Sequence, residues 1–308
     1  MKRFLRLFAI LAVVAMVMAF MPSCEPKVTD ERFFTFEYNE DKTAYTVSAS
    51  AEVMPETVII PETYEGKAVT AVKADGFSGE NCYAIKDLVF KCKTLTVGEN
   101  AFKGLKNLRS VEFRGTVDIS IGSFAFEDCT ALKELQFTAE PESLVFGGYS
   151  FKHTGLTAVE VSASKGVTVG EYAFANSAIT GFKAANLTAF DVTAVSKCVE
   201  LASFEVSESE GFVSESGNLY AVSEGVKTLV KYAPAAKARE FVVETAIGKD
   251  ALRDCVNLTT VTIAECVEDI PAYTFYETSV TEIKVYSNYV NFTEGWLFGT
   301  TANVTEVA

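Results

Sequence analysis

The chain has a single histidine, His153, in 308 residues. Histidine is the usual proton shuttle and metal ligand near neutral pH, so its scarcity excludes most acid–base and metal chemistry. His153 stands in Phe151-Lys152-His153-Thr154-Gly155 with no activating spacing around it, and reads as an exposed loop residue rather than part of a nucleophilic site. Zinc ligation lacks both a second histidine and a Cys-x-x-Cys pair. EF-hand, Walker and dinucleotide-binding signatures are missing too, and no cofactor is expected. Positive charge is scarce: Lys+Arg 27 against Asp+Glu 41 gives a net charge of −14. A surface so acidic repels phosphate backbones, which excludes nucleic acid as a partner. Prolines number only seven and no low-complexity tract occurs, which argues against disorder. What is present in quantity is apolar residues, 49% of the chain, enough for a large core.

The longest apolar run stretches from Leu7 to Met21, behind the basic residues Lys2, Arg3 and Arg6. At fifteen residues it has the length of a signal-peptide core and falls short of the roughly 20 needed to span a bilayer. It ends at Met21-Pro22-Ser23-Cys24, which resembles a bacterial lipoprotein signal. That resemblance implies a signal peptide over residues 1–23, lipidation of Cys24, and membrane attachment through the N-terminal lipid. Residues 24–32 then form a short tether. The acids Glu25, Asp30 and Glu31 resemble a surface-export signal of Bacteroidetes lipoproteins, implying the outer membrane or cell surface of a Gram-negative bacterium.

The remainder repeats itself. Val97-Gly98-Glu99-Asn100-Ala101-Phe102 is followed by Leu108-x-x-Val111-x-Phe113, and Ile121-Gly122 to Phe126 by Leu132-x-x-Leu135-x-Phe137. With Phe102 as landmark, the column runs Phe77, Phe102, Phe126, Phe151, Phe174, Val195, Leu252, Phe275, Phe298, at spacings of 25, 24, 25, 23, 21, 57, 23 and 23. Five residues earlier stands an apolar residue in every case but the last, where Thr293 breaks the column. The Leu-x-x-Leu-x-Phe segments alternate as short strands do. A lone unit has no way to close a core, so the units must stack, burying the columns as ladders.

The pattern Ile121-Gly122-Ser123-Phe124-Ala125-Phe126-Glu127-Asp128-Cys129-Thr130-Ala131-Leu132 resembles the BspA-type leucine-rich repeat of bacterial surface proteins. The expected fold is mainly β with short helical turns: a leucine-rich-repeat solenoid with an N-terminal β cap over 33–72, repeats over 73–206, an inserted hairpin segment over 207–244, and repeats over 245–308. In the 57-residue gap, Gly217–Val222 and Lys227–Tyr232 alternate around Ser223-Glu224-Gly225 as a β-hairpin; a degenerate repeat hidden there is the alternative. Cys129, Cys198 and Cys255 share one column, expected to be a ladder of buried free thiols. Cys198 and Cys255 would be near enough for a disulfide only if the insertion loops out and leaves them on adjacent rungs.

Two residues before the landmarks lies a column containing Phe124, Tyr149 and Tyr172, then Tyr273 and Trp296. Turned outward, these aromatics would form a stripe suited to a protein or sugar ligand; turned inward, a structural ladder. The family resemblance implies a non-enzymatic adhesin that binds host or neighbouring-cell proteins. An accessory glycan-binding lipoprotein for nutrient capture is the second reading.

Overall fold

Each unit of the repeat makes one coil whose alternating residues point into a shared core. In Ser110–Phe113 and Asp118–Ile121, for example, Val111, Phe113, Ile119 and Ile121 are buried. A computed structural model describes residues 28–286 and 290–307. The leader and Cys24 lie outside the described residues. Coils stack in parallel. One sheet carries Lys67–Val72, Thr94–Val97, Asp118–Ile121 and Ser143–Phe146, and another carries Thr57–Ile60, Asp87–Phe90, Ser110–Phe113 and Glu134–Phe137. The N-terminal end is closed by an antiparallel pair, Phe34–Tyr38 with Tyr45–Ala49. No α-helix occurs among the described residues; three short 3₁₀ turns do.

The landmark phenylalanines are the core. Phe77, Phe102, Phe126, Phe151 and Phe174 are fully buried and stack face to face, with centroids 4.9 to 5.7 Å apart. Beside them Phe90, Phe113 and Phe137 form a second stack at 5.0 and 5.2 Å. Coils approach closely at the glycine column: the Gly122 N–H donates to the Val97 carbonyl at 2.8 Å, and a Cβ on Gly122 would lie 2.6 Å from that oxygen. Even the corners stay hydrogen-bonded between coils, as Phe102 N–H to Ala125 O at 2.8 Å shows, so buried backbone is satisfied without helix.

The insertion proves to be both a hairpin and a hidden coil. Asn218–Ser223 and Val226–Lys231 pair antiparallel, and the second strand then pairs parallel with Ala246–Ile247, placing Leu229 opposite Ile247. The Tyr232 N–H donates to Ala251 O as the landmark residues do elsewhere, so Tyr232 takes the plug position. Glu240–Val243 then opens the sheet continued by Thr260–Ile263, Glu282–Val285 and Asn303–Glu306. This coil lies between Cys198 and Cys255. Both are buried free thiols, so the adjacency a disulfide needed does not arise.

The hidden coil lacks a full corner, and Lys231 fills the place. Elsewhere a corner N–H bonds to the next coil, as Gly104 does to Glu127 O at 2.8 Å. Here the fully buried Lys231 Nζ donates to the carbonyls of Arg253 at 3.0 Å and Asp250 at 3.1 Å. Burial pushes its pKa down, opposed by Asp254 and Asp250 nearby.

The last coil corrects the landmark column by one residue. Gly295 (φ 82) and Gly299 (φ 79) adopt the left-handed corner conformations, which puts Leu297 midway between them in the plug position. Phe298 is 58% exposed. Counting back five from Leu297 reaches Phe292, which pairs with Ile270 and takes the column position counted as Thr293 from Phe298.

A second departure lies mid-solenoid. After Glu134–Phe137 the coils stop using two strands joined by a turn and use single long strands, Ala158–Val169 and Gly181–Phe190. The far half of Ala158–Val169 pairs with Ser143–Phe146, but its near half pairs only onward, with Gly181–Phe190. Between Glu134–Phe137 and residues 158–162 the ladder is broken.

Candidate functional site

The aromatic column occupies a special backbone position. Asn100, Phe124, Tyr149, Tyr172, Asp250 and Tyr273 all have φ between 50° and 60°. Asparagine and aspartate tolerate this left-handed region, whereas Phe124, Tyr149 and Tyr172 adopt it at a cost of roughly 1 kcal/mol each. Stacking offsets that cost: Phe124 to Tyr149 is 4.8 Å and Tyr149 to Tyr172 is 5.0 Å, with rings within 25° of parallel. All three are half-buried, while Phe151 and Phe174, two residues on, are fully buried. The corner therefore turns the column to the outside of the plug, leaving one side of the stack to solvent.

Cations frame the stack. Lys103 Nζ lies 5.2 Å from the Phe124 centroid, and Lys152 Nζ 5.2 Å from that of Tyr149. Glu127, itself buried, bridges both lysines at 2.8 and 3.1 Å. Burial, then the Glu171 carboxylate, pushes the Tyr149 hydroxyl pKa upward.

The second aromatic group is not a continuation. Tyr273 is 40% exposed and packs edge-on against Tyr276 and Phe298. Because of the one-residue slip, Trp296 falls out of the corner column, where Gly295 stands, and packs on Phe292 at 4.4 Å and Phe275 at 5.9 Å. The structure thus brings Phe124, Tyr149 and Tyr172 together and leaves Tyr273 and Trp296 apart from them.

A second corner row, two residues after the plug, escaped the sequence reading. It comprises Gly104, Asp128, His153, Asn176, Lys197, Asp254 and Glu277, all with positive φ. His153 belongs to it: its exposed ring lies 2.8 Å from Asp128 Oδ1, with no nucleophile in the pair. The recurrence of glycine, asparagine and aspartate at this offset is the signal that would have found the row. Among the described residues no three histidine, cysteine, aspartate or glutamate side chains gather to hold a metal.

Residues 70–202 and 244–308 match the model of the BspA type leucine rich repeat region, in six copies. No curated protein matches the chain. Among solved structures, a leucine rich cell surface protein from Faecalibacterium prausnitzii A2-165 is similar with a TM-score of 0.53 at 16% identity, over 89% of this chain and 86% of that one. A leucine-rich repeat protein from Eubacterium ventriosum ATCC 27560 gives a TM-score of 0.56 at 18% identity, over 83% and 71% respectively. At such identities the likeness concerns the fold.

Proposed function

Because the chain belongs to the BspA-type leucine-rich repeat family, we propose that it is a non-enzymatic binding protein of the cell surface, tethered by lipid at Cys24, whose repeat surface holds a protein ligand. The observation that carries this reading is the stack of Phe124, Tyr149 and Tyr172, half-open to solvent and framed by Lys103 and Lys152. Aromatic faces beside cations suit protein contact, where such residues dominate binding energy. The description of the Faecalibacterium relative as a cell surface protein supports the location.

The double substitution Tyr149→Ser, Tyr172→Ser is expected to weaken binding to immobilised host matrix proteins by more than about 1 kcal/mol. Surface plasmon resonance and a melting curve on the same samples separate the roles. Early melting with binding retained would make the stack purely structural. Loss on a glycan array with matrix binding unchanged would favour nutrient capture. Independently, Cys24→Ala is expected to move the protein from the membrane fraction to the soluble one without altering its melting temperature; retention in the membrane would refute the lipid anchor.

A further inference from the structure

The break in the ladder between Glu134–Phe137 and residues 158–162 has unused main-chain groups on both sides. In this sheet the N–H groups of Glu134 and Thr138 point back, to Arg109 O and Phe113 O. Alternation along the strand therefore aims the main-chain groups of Leu135 and Phe137 forward, into the break. On the far side, Thr180 N–H bonds to Thr157 O, so odd residues of that strand face onward. Ala158, Glu160 and Ser162 face the break.

Both edges are held in place. Phe137 stacks on Phe113 at 5.2 Å, and Val159 and Val161 belong to the strand paired with Gly181–Phe190. At one end the break is closed by Gly155, where a Cβ would lie 2.7 Å from Thr130 O. At the other the Ser162 hydroxyl donates to Glu140 across the mouth, at the surface. Between them lies a cleft of about 350 Å³ lined by Leu135, Phe137, Pro141, Val161 and Ala184. Leu135 and Phe137 are only half-buried here, whereas their counterparts Val111 and Phe113 are buried. Glu140 and Glu160 stand at the rim, the latter paired with Lys183.

We propose that this break receives an extended segment of a partner protein as an added strand, with small apolar side chains directed at Leu135 and Phe137 and basic ones, at alternate positions, directed at Glu140 and Glu160. A strand alternates its side chains between two faces, and the break offers an apolar floor and a rim with two carboxylates, Glu140 and Glu160, against one lysine, Lys183. Glu134–Phe137 supplies four residues of edge, about 13 Å of extended chain. The inference rests on the protein-binding reading but names a different part of the repeat surface from the aromatic stack.

The probe is a terminally blocked, fluorescein-labelled peptide, Lys-Val-Lys-Val-Lys-Val, titrated into the full chain by anisotropy, with hydrogen exchange measured in parallel. In the free protein the amides of Leu135, Phe137 and Glu160 are expected to exchange much faster than those of Val111 and Phe113, and to slow at least tenfold with the peptide bound. Glu160→Pro removes an N–H facing the break, a substitution that an unpaired edge accommodates. Val161→Phe fills the cleft beside Phe137. Each is expected to weaken the peptide at least tenfold with the far-UV spectrum unchanged, and Val161→Phe decides if the proline variant fails to fold. Fast exchange absent in the free protein, no peptide protection at these amides, or equal affinity for Val161→Phe would overturn the inference. Matrix-protein binding surviving in Val161→Phe alongside any of those outcomes would leave the protein-binding reading intact.

Discussion

Phe126→Ala is expected to destabilise the protein by about 3–5 kcal/mol. Phe126 is fully buried between Phe102 at 5.2 Å and Phe151 at 4.9 Å, so truncation opens a cavity flanked by two rings that its neighbours hold in place. Relaxation is restricted because each ring belongs to a coil hydrogen-bonded on both sides, as Phe126 N–H to Ser150 O at 2.8 Å illustrates. Phe298→Ala supplies the contrast. Its ring is 58% exposed, and a change within about 1 kcal/mol is expected. Urea denaturation of both variants measures the difference. Comparable losses from the two would mean the plug register drawn for the last coil is wrong.

Alkali is expected to unfold the protein steeply. Cys82, Cys92, Cys129, Cys198 and Cys255 are fully buried, and burial raises every one of these thiols, Cys92, Cys129 and Cys255 to about 12. In the unfolded chain a thiol ionises near pH 8.5. Above that pH the folded state binds more protons than the unfolded one, so stability falls as pH rises, by about 1.4 kcal/mol per pH unit for each thiol. Lys231 acts in the opposite sense: its depressed pKa leaves the unfolded state with the extra proton up to about pH 10.4, and so offsets at most one thiol. Cys82, Cys92, Cys129 and Cys255, less at most one for the lysine, leave at least three thiols, or about 4 kcal/mol per pH unit between pH 9 and 10. That exhausts the stability of an ordinary domain within about two units. Urea midpoints at pH 7, 8, 9 and 10 trace the slope. Cys129→Ala is expected to lower the slope by about 1.4 kcal/mol per unit, whatever it does at pH 7. A profile flat to pH 10 would mean the cysteine column is open to solvent.

The sequence made the coils legible because plug, glycine and strand residues are all chosen by burial, and burial recurs at a fixed offset. The inserted hairpin was legible for the same reason, through the alternation of Asn218–Ser223 and Val226–Lys231. Errors arose where backbone conformation, not burial, sets the register. Phe298 matches the plug residue better than Leu297 does, yet the left-handed corners at Gly295 and Gly299 place Leu297 there, and that slip moved Trp296 out of the proposed column. Tyr232 went unrecognised as a plug because its corner is shortened, with Lys231 supplying hydrogen bonds that backbone supplies elsewhere. The stack of Phe124, Tyr149 and Tyr172 could be listed from spacing, but its outward turn depends on φ values that composition does not encode. The ladder break left no mark in the landmark spacing, since the coils on either side keep their plugs, Phe126, Phe151 and Phe174, in one stack.

The coil of Tyr232 also divides the molecule. Buried apolar residues fall into two clusters, one running from Phe34 to Leu219 and Ala233, the other from Tyr220 to Val285, with Ala236 packed against both. Polar contacts help to join them: the Lys197 N–H donates to Asp254 Oδ2 at 2.8 Å, and the Lys197 side chain pairs with Glu277. In a solenoid, cooperativity passes only from neighbour to neighbour. Disorder entering from the C-terminal coils therefore meets a boundary between two cores here, and the chain is expected to melt as two cooperative blocks in series, the larger keeping its order, its aromatic stack and its strand break after the smaller has melted.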